Sequence, residues 1–150
     1  MPRHELLVET VIEASPERVW AILTDFAAYP EWNPFIRVIE IEGDLRVGAR
    51  LRARIQPSGG KGMTFRPTVL VADPGRELRW IGHLFLPGIF DGEHYFAIRP
   101  RSDRTILFQH GEEFRGLLIP SMRKSLDRDT RRGFVEMNEA LKARAESSLS

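Results

Sequence analysis

Three side chains in this sequence have types and spacing suited to proton chemistry: His94, His110 and Glu112. His94, Phe96 and Ile98 alternate with Tyr95 and Arg99, so they share one face of an extended strand. Ile106, Phe108, His110, Glu112 and Phe114 share a face of the next one. A tight turn near Ser102 and Asp103 makes the two strands a hairpin and sets His94 across from His110 or Glu112. Two imidazoles and a carboxylate then project into one apolar interior. Three roles suit such a cluster. It can satisfy itself at a cavity wall, orient the polar group of an apolar ligand, or move protons as a His/Glu acid–base set. These three residues are therefore the candidate catalytic groups. No metal is expected, because donors on alternate strand positions are a weak metal signature. No cofactor is expected either. Pro57 to Gly62 carries Gly-Lys-Gly but lacks the spacing of a phosphate loop.

Aromatic and sulfur-bearing residues surround this cluster in the pattern. Trp32, Phe65, Trp80, Phe96, Phe108, Phe114, Met122, Leu126, Phe134 and Met137 are candidate cavity walls, together with His94, His110 and Glu112. Any one of them suits an ordinary core. Together they are more aromatic than a tight aliphatic core needs, which fits a flat or lipid-like ligand. The apolar loop holding Phe85, Leu86, Ile89 and Phe90 is a candidate lid, or a surface buried under a second copy in a homodimer.

The elements that must position these residues follow from periodicity. Ile119, Met122, Leu126, Thr130, Phe134, Met137 and Leu141 recur at steps of three and four, which predicts one long amphipathic helix from Leu117 onward. Upstream, Leu6 to Glu13 alternates as a first strand. Ser15 and Pro16 suit an N-cap and first helical position, but Arg18 stands where a capping-box Glu would, so the box is absent. A short helix with Val19, Trp20, Ile22 and Leu23 follows, and then a helical turn and bend between Phe26 and Pro34. Six strands come next: 35–41, 49–56, 63–72, 76–84, 92–99 and 105–115. Arg50, Arg52 and Arg54 share a solvated face of the second of these. Segregated strands and helices make an α+β fold, with a seven-stranded antiparallel sheet wrapped around the C-terminal helix. Residues 1–146 read as one domain and 147–150 as a frayed tail.

Several stretches, standing in order along nearly the whole chain, resemble the START-like (SRPBCC) superfamily, the Bet v 1-like helix-grip fold. They are Ala14 to Trp20 (ASPERVW), Leu23 to Asp25, Tyr29 to Pro34 (YPEWNP), the Gly48 turn, Leu78 to Trp80, His94 to Phe96 and Glu112 to Gly116. The likeness is nearest in style to the branch labelled polyketide cyclase or dehydrase and lipid transport. It implies a sheet folded around the C-terminal helix with an internal cavity. It implies no shared catalytic set, because this superfamily holds carriers, receptors and enzymes alike.

Composition excludes other classes. With no cysteine among 150 residues, disulfides and thiolate metal sites are ruled out. Twenty-two basic and 21 acidic residues leave a net charge of +1, which gives no argument for nucleic acid. No apolar run is long enough for a membrane span, and the N-terminus shows no secretory pattern, so a soluble cytoplasmic protein is expected. The leading expectation is binding, as carrier or sensor, of an apolar or aromatic small molecule or lipid in an internal cavity. The rivals are a polyketide cyclase/dehydratase-type enzyme using His/Glu chemistry, and an interaction protein whose cavity has collapsed.

Overall fold

A computed structural model describes residues 1–101 and 103–147. Ser102 in the expected hairpin turn and residues 148–150 of the expected frayed tail lie outside the described residues. The elements in order are β1 (Arg3–Ile12), α1 (Pro16–Thr24), a 3-10 turn (Phe26–Ala28), α2 (Tyr29–Trp32), β2 (Ile36–Ile41), β3 (Leu51–Ile55), β4 (Met63–Phe65) and β5 (Thr68–Asp73). Then come β6 (Glu77–Leu84), β7 (Phe90–Pro100), β8 (Ile106–Arg115), α3 (Ile119–Ser125), a π turn (Leu126–Thr130) and α4 (Arg131–Glu146). This is the α+β helix-grip arrangement, with every strand pair antiparallel.

Among the described residues the strands number eight, not seven. The run 63–72 divides at Arg66 and Pro67, and the chain changes sheets there. Proline has no N–H to give a ladder, so a strand cannot continue through it in the middle of a sheet. β4 pairs with β3 in a sheet ordered β2-β3-β4, and β5 pairs with β6 in a sheet ordered β1-β8-β7-β6-β5. The two sheets stay stitched at this corner. Leu51 N donates to Pro67 O at 2.9 Å and Val69 N to Ala49 O at 2.9 Å. The result is a curved trough whose concave side takes the C-terminal helix.

That helix is also subdivided. Between Met122 and Phe134 the apolar stripe advances in three successive steps of four, twelve residues over three turns. An α-helix covers three turns in about eleven residues. The π turn at Leu126–Thr130 absorbs the extra residue and keeps Met122, Leu126 and Phe134 on one side. Phe134, Met137 and Leu141 are fully buried. At Gly133 the helix comes so close to β2's approach that a Cβ would strike the Phe35 ring.

The N-cap and the bend stand where the pattern puts them, and Arg18 takes a further role. Ser15 caps α1 by accepting from Arg18 N at 3.1 Å. Arg18, which spoils a capping box, instead turns its guanidinium to the carbonyls of Ala145 (2.6 Å), Arg144 and Ser147 (both 3.2 Å). It thereby satisfies the last carbonyls of α4, where positive charge also suits the helix dipole. Asn33 is a bend residue, its Oδ1 accepting from Phe35 N at 3.0 Å and Ile36 N at 2.8 Å.

Candidate functional site

The β7–β8 hairpin sets the register of the polar cluster. His94 stands directly opposite Glu112, and His110 opposite Phe96. All four side chains point to the helix side of the sheet, as alternation requires. His110 therefore reaches His94 diagonally, with Nε2 to Nε2 at 2.7 Å. On its other side His110 Nδ1 lies 2.9 Å from Asn138 Oδ1, on α4. Asn138 Nδ2 donates to Val8 O at 3.2 Å and to Thr10 Oγ1 at 3.1 Å, both on β1. Helix, edge strand and hairpin are thus joined through one buried chain of hydrogen bonds.

The direction of that chain follows from its end. Val8 O can only accept, so Asn138 must turn its NH2 to it and its oxygen to His110. His110 then carries its proton on Nδ1, and its Nε2 is an acceptor. Burial and the neighbouring His94 hold the His110 imidazole well below its usual 6.5, although Asn138 pulls the other way, so the ring is neutral. His94 Nε2 must consequently donate. That leaves His94 Nδ1 facing the Glu112 carboxyl, with Oε1 at 3.1 Å. The approach lies outside hydrogen-bond angles, and Nδ1 has no formed hydrogen bond although it is buried. Two lone pairs do not sit that close in a buried site. Only a proton between them, on either atom, makes this contact favourable.

The second carboxyl oxygen is placed by an absent side chain. A Cβ on Gly92 would run into Glu112 Oε2. Only glycine there lets the carboxyl lie flat over β7, at the wall of a small inner pocket of about 30 Å³. Trp80 and His94 border this pocket with Phe65, Phe90 and Glu112. It adjoins a larger cavity of about 220 Å³ between the two sheets and the π turn. Phe65, Phe114, Met122, Leu126 and Glu112 line the larger one, along with Phe35, Ile55, Leu84 and Phe90. Lys61, Ser125, Asp129 and Thr130 also line it.

The other candidate wall residues lie elsewhere. Phe96, Phe108, Phe134 and Met137 are fully buried and line neither space. Phe96 stacks on Phe108 with centroids 5.9 Å apart, and Phe134 stacks on His110 at 3.8 Å. These rings fill the inner end of the trough, while its outer end stays open. Trp32 packs edge-on against Tyr29, 5.2 Å away, and borders a surface groove between α1 and α4. Of the lid residues, Phe85 and Leu86 are 76 % and 72 % exposed at the β6–β7 turn, whereas Phe90 is buried and walls the cavity. Leu117 N and Leu118 N bond to the carbonyls of Gly88 and Ile89 at 3.0 Å, tying this turn to the start of α3. Asn138 is the functional residue that the residue pattern passes over. Its signal is position: with Phe134, Met137 and Leu141 it completes an i, i+3, i+4, i+7 set, a polar residue on the apolar stripe.

The neutral state of His110 makes stability depend on acid. Its unfolded counterpart takes up a proton near pH 6.5, while the buried ring resists one. The contribution is whole above pH 6.5 and is lost as pH falls below it, toward the lower folded value. From this group the native state should lose about 1 kcal/mol between pH 7 and 5.5. Urea unfolding at the two pH values, set against His110→Gln, checks it. The stability gap between the two proteins should narrow by that amount at pH 5.5. A constant gap would mean that His110 takes up a proton in the native state as readily as in the unfolded chain.

The model of a family described as polyketide cyclase / dehydrase and lipid transport matches residues 3–146. This chain belongs to that family. No curated relative matches the sequence. Among solved structures, Zhui aromatase/cyclase from Streptomyces sp. R1128 superposes with a TM-score of 0.79 at 16% identity, over 97% of this chain and 94% of that one. A START superfamily protein from Mycobacterium smegmatis is 26% identical, with a TM-score of 0.72 over 95% of this chain and 97% of that one. The di-domain ARO/CYC BexL from the BE-7585A biosynthetic pathway gives 0.77 at 12% identity, over 97% of this chain. This chain spans about half the length of that protein (50%) and of the related di-domain StfQ (51%). For this member of the family, no helix among the described residues is long and apolar enough to cross a membrane. Among those residues there is also no group of three or more His, Cys, Asp or Glu gathered to hold a metal ion.

Proposed function

We propose that this chain binds an apolar or aromatic small molecule, as a carrier or sensor, in the space between the two sheets and the π turn. The observation that carries this is the cavity of about 220 Å³, walled by Phe65, Phe90, Phe114, Met122 and Leu126 and floored by Glu112. Burial of ligand surface supplies affinity at about 25 cal/mol per Å², and one fixed polar group supplies orientation. His94 and His110 lie behind Glu112, His94 3.1 Å from its carboxyl. Family membership supports both ligand binding and cyclase chemistry. The approach of His94 Nδ1 to Glu112 Oε1, 3.1 Å at the cavity wall, supports the second reading, a cyclase/dehydratase-type enzyme in which a proton shared there moves to the ligand.

Native mass spectrometry of the purified protein, before and after denaturation, tests the first reading together with a thermal-shift titration of small aromatic hydrocarbons. A ligand present at a hundred times its Kd should add about 2.7 kcal/mol of stability, which moves the unfolding midpoint measurably. Met122→Trp, at the half-buried rim, should abolish that shift while the circular dichroism stays native. Equal shifts in both proteins would place binding outside this cavity, and no shift in either would discard the reading.

A further inference from the structure

We infer that the ligand presents a neutral hydrogen-bond donor, a hydroxyl or N–H, to Glu112 Oε2, and that acceptor-only and carboxylate ligands are selected against. The inference rests on the ligand-binding reading above and adds the polar chemistry of the ligand. It follows from the direction of the hydrogen-bond chain. The Val8 carbonyl forces the Asn138 amide, Asn138 forces the His110 tautomer, and His110 forces His94 to donate through Nε2. The 3.1 Å contact of His94 Nδ1 with Glu112 Oε1 calls for one proton between them. It has two resting places. On Nδ1 it leaves a carboxylate, whose Oε2 accepts. On Oε1 it leaves a carboxylic acid with Oε2 as the carbonyl oxygen, which also accepts. Either way Oε2 offers lone pairs to the space over Gly92 and no proton.

Among the described residues Glu112 makes no formed hydrogen bond, and its side chain is 15% exposed. A ligand that fills this apolar cavity displaces water from Oε2, so one that brings a donor keeps a hydrogen bond that an acceptor-only ligand loses. A ligand ether or ketone would set lone pair against lone pair. An ionised acid would set its own lone pairs against Oε2 and bring a charge to be desolvated, while Lys61 and Asp129 of the same lining offset each other. An ammonium would likewise bring a charge to be desolvated in an apolar space, so the neutral donor fits best.

The test uses four probes of nearly one size on the full chain at pH 7: 2-naphthol, 2-methoxynaphthalene, 2-methylnaphthalene and 2-naphthoate. Dissociation constants come from calorimetric titration. The naphthol should bind about tenfold tighter than the methoxy compound, the size of one hydrogen bond kept or lost, and naphthoate should bind weakest. In Glu112→Gln the advantage of naphthol over methylnaphthalene should persist. Gln must give its NH2 to the His94 Nδ1 lone pair, which again leaves an oxygen facing the cavity. In Glu112→Leu the advantage should fall to within about twofold, the size expected without that bond. Equal affinity for naphthol and methoxynaphthalene, a preference for naphthoate, or loss of the preference in Glu112→Gln would overturn the inference while leaving cavity binding intact. A naphthol advantage surviving in Glu112→Leu would do the same. Failure of all four probes, methylnaphthalene included, would overturn the ligand-binding reading and this inference with it. If Glu112→Leu does not fold, the four-probe series and Glu112→Gln still decide.

Discussion

Phe134→Ala is expected to cost about 3–5 kcal/mol of stability, a large share of the 5–15 kcal/mol that holds a domain folded. Phe134 is fully buried, its ring 3.8 Å from that of His110 and 12° from parallel. It also meets Phe35 at 5.5 Å and His94 at 5.2 Å. Alanine would remove the ring from three neighbours that cannot close the gap. Phe35 is pinned against Gly133, where a Cβ would already strike it. His94 and His110 are tied to each other, and His110 is also tied to Asn138. Little collapse means a residual void, and the void is what raises the cost above simple transfer. Urea unfolding of Phe134→Ala and Phe134→Leu separates the terms, with leucine expected to recover more than half of the loss. A cost below about 1.5 kcal/mol would mean that the inner end is loosely packed and that the ligand space extends into it.

How far this arrangement can be read from residue order depends on the length scale of each signal. Alternation in 92–99 and 105–115 is local and strong, and with one short turn it puts His94 across from His110 or Glu112, of which the register takes Glu112. The helix-grip fold is equally legible, because a long amphipathic stripe after a run of strands has few ways to be buried. The split at Pro67 was written in a single residue inside an otherwise convincing strand, and its consequence is a change of sheet. The π turn shows in the three steps of four from Met122 to Phe134, a period too long for an α-helix. Arg18 and Asn138 were not legible in the same way. The partners of Arg18 on α4 and of Asn138 on β1 lie more than a hundred residues away, and no periodicity reports which carbonyl a guanidinium or amide will meet. Equally, aromatic content marked Phe96, Phe108 and Phe134 as wall residues, but whether a ring lines a cavity or fills it depends on the curvature of the trough.

Asn138→Leu should separate structure from chemistry at this site, at a cost of about 2–4 kcal/mol. The leucine matches the branched outline of the amide, with bulkier ends, but leaves the His110 Nδ1–H without an acceptor and Val8 O without its side-chain donor, each worth about 1–3 kcal/mol when buried. The larger consequence is directional. In the parent protein, nitrogen-15 spectra of the imidazoles should show His110 protonated only on Nδ1 and His94 protonated on Nε2. Without Asn138 nothing holds the His110 proton on Nδ1. It can move to Nε2 and turn the 2.7 Å contact with His94 around. His94 then accepts through Nε2, carries its proton on Nδ1 and gives it to Glu112. A mixture of His110 tautomers in Asn138→Leu, against a single one in the parent, would show that an amide on the far helix decides which way the cavity wall hands its proton. A parent protein with His110 protonated on Nε2 would reverse every donor in the chain and remove the basis for the shared proton at Glu112.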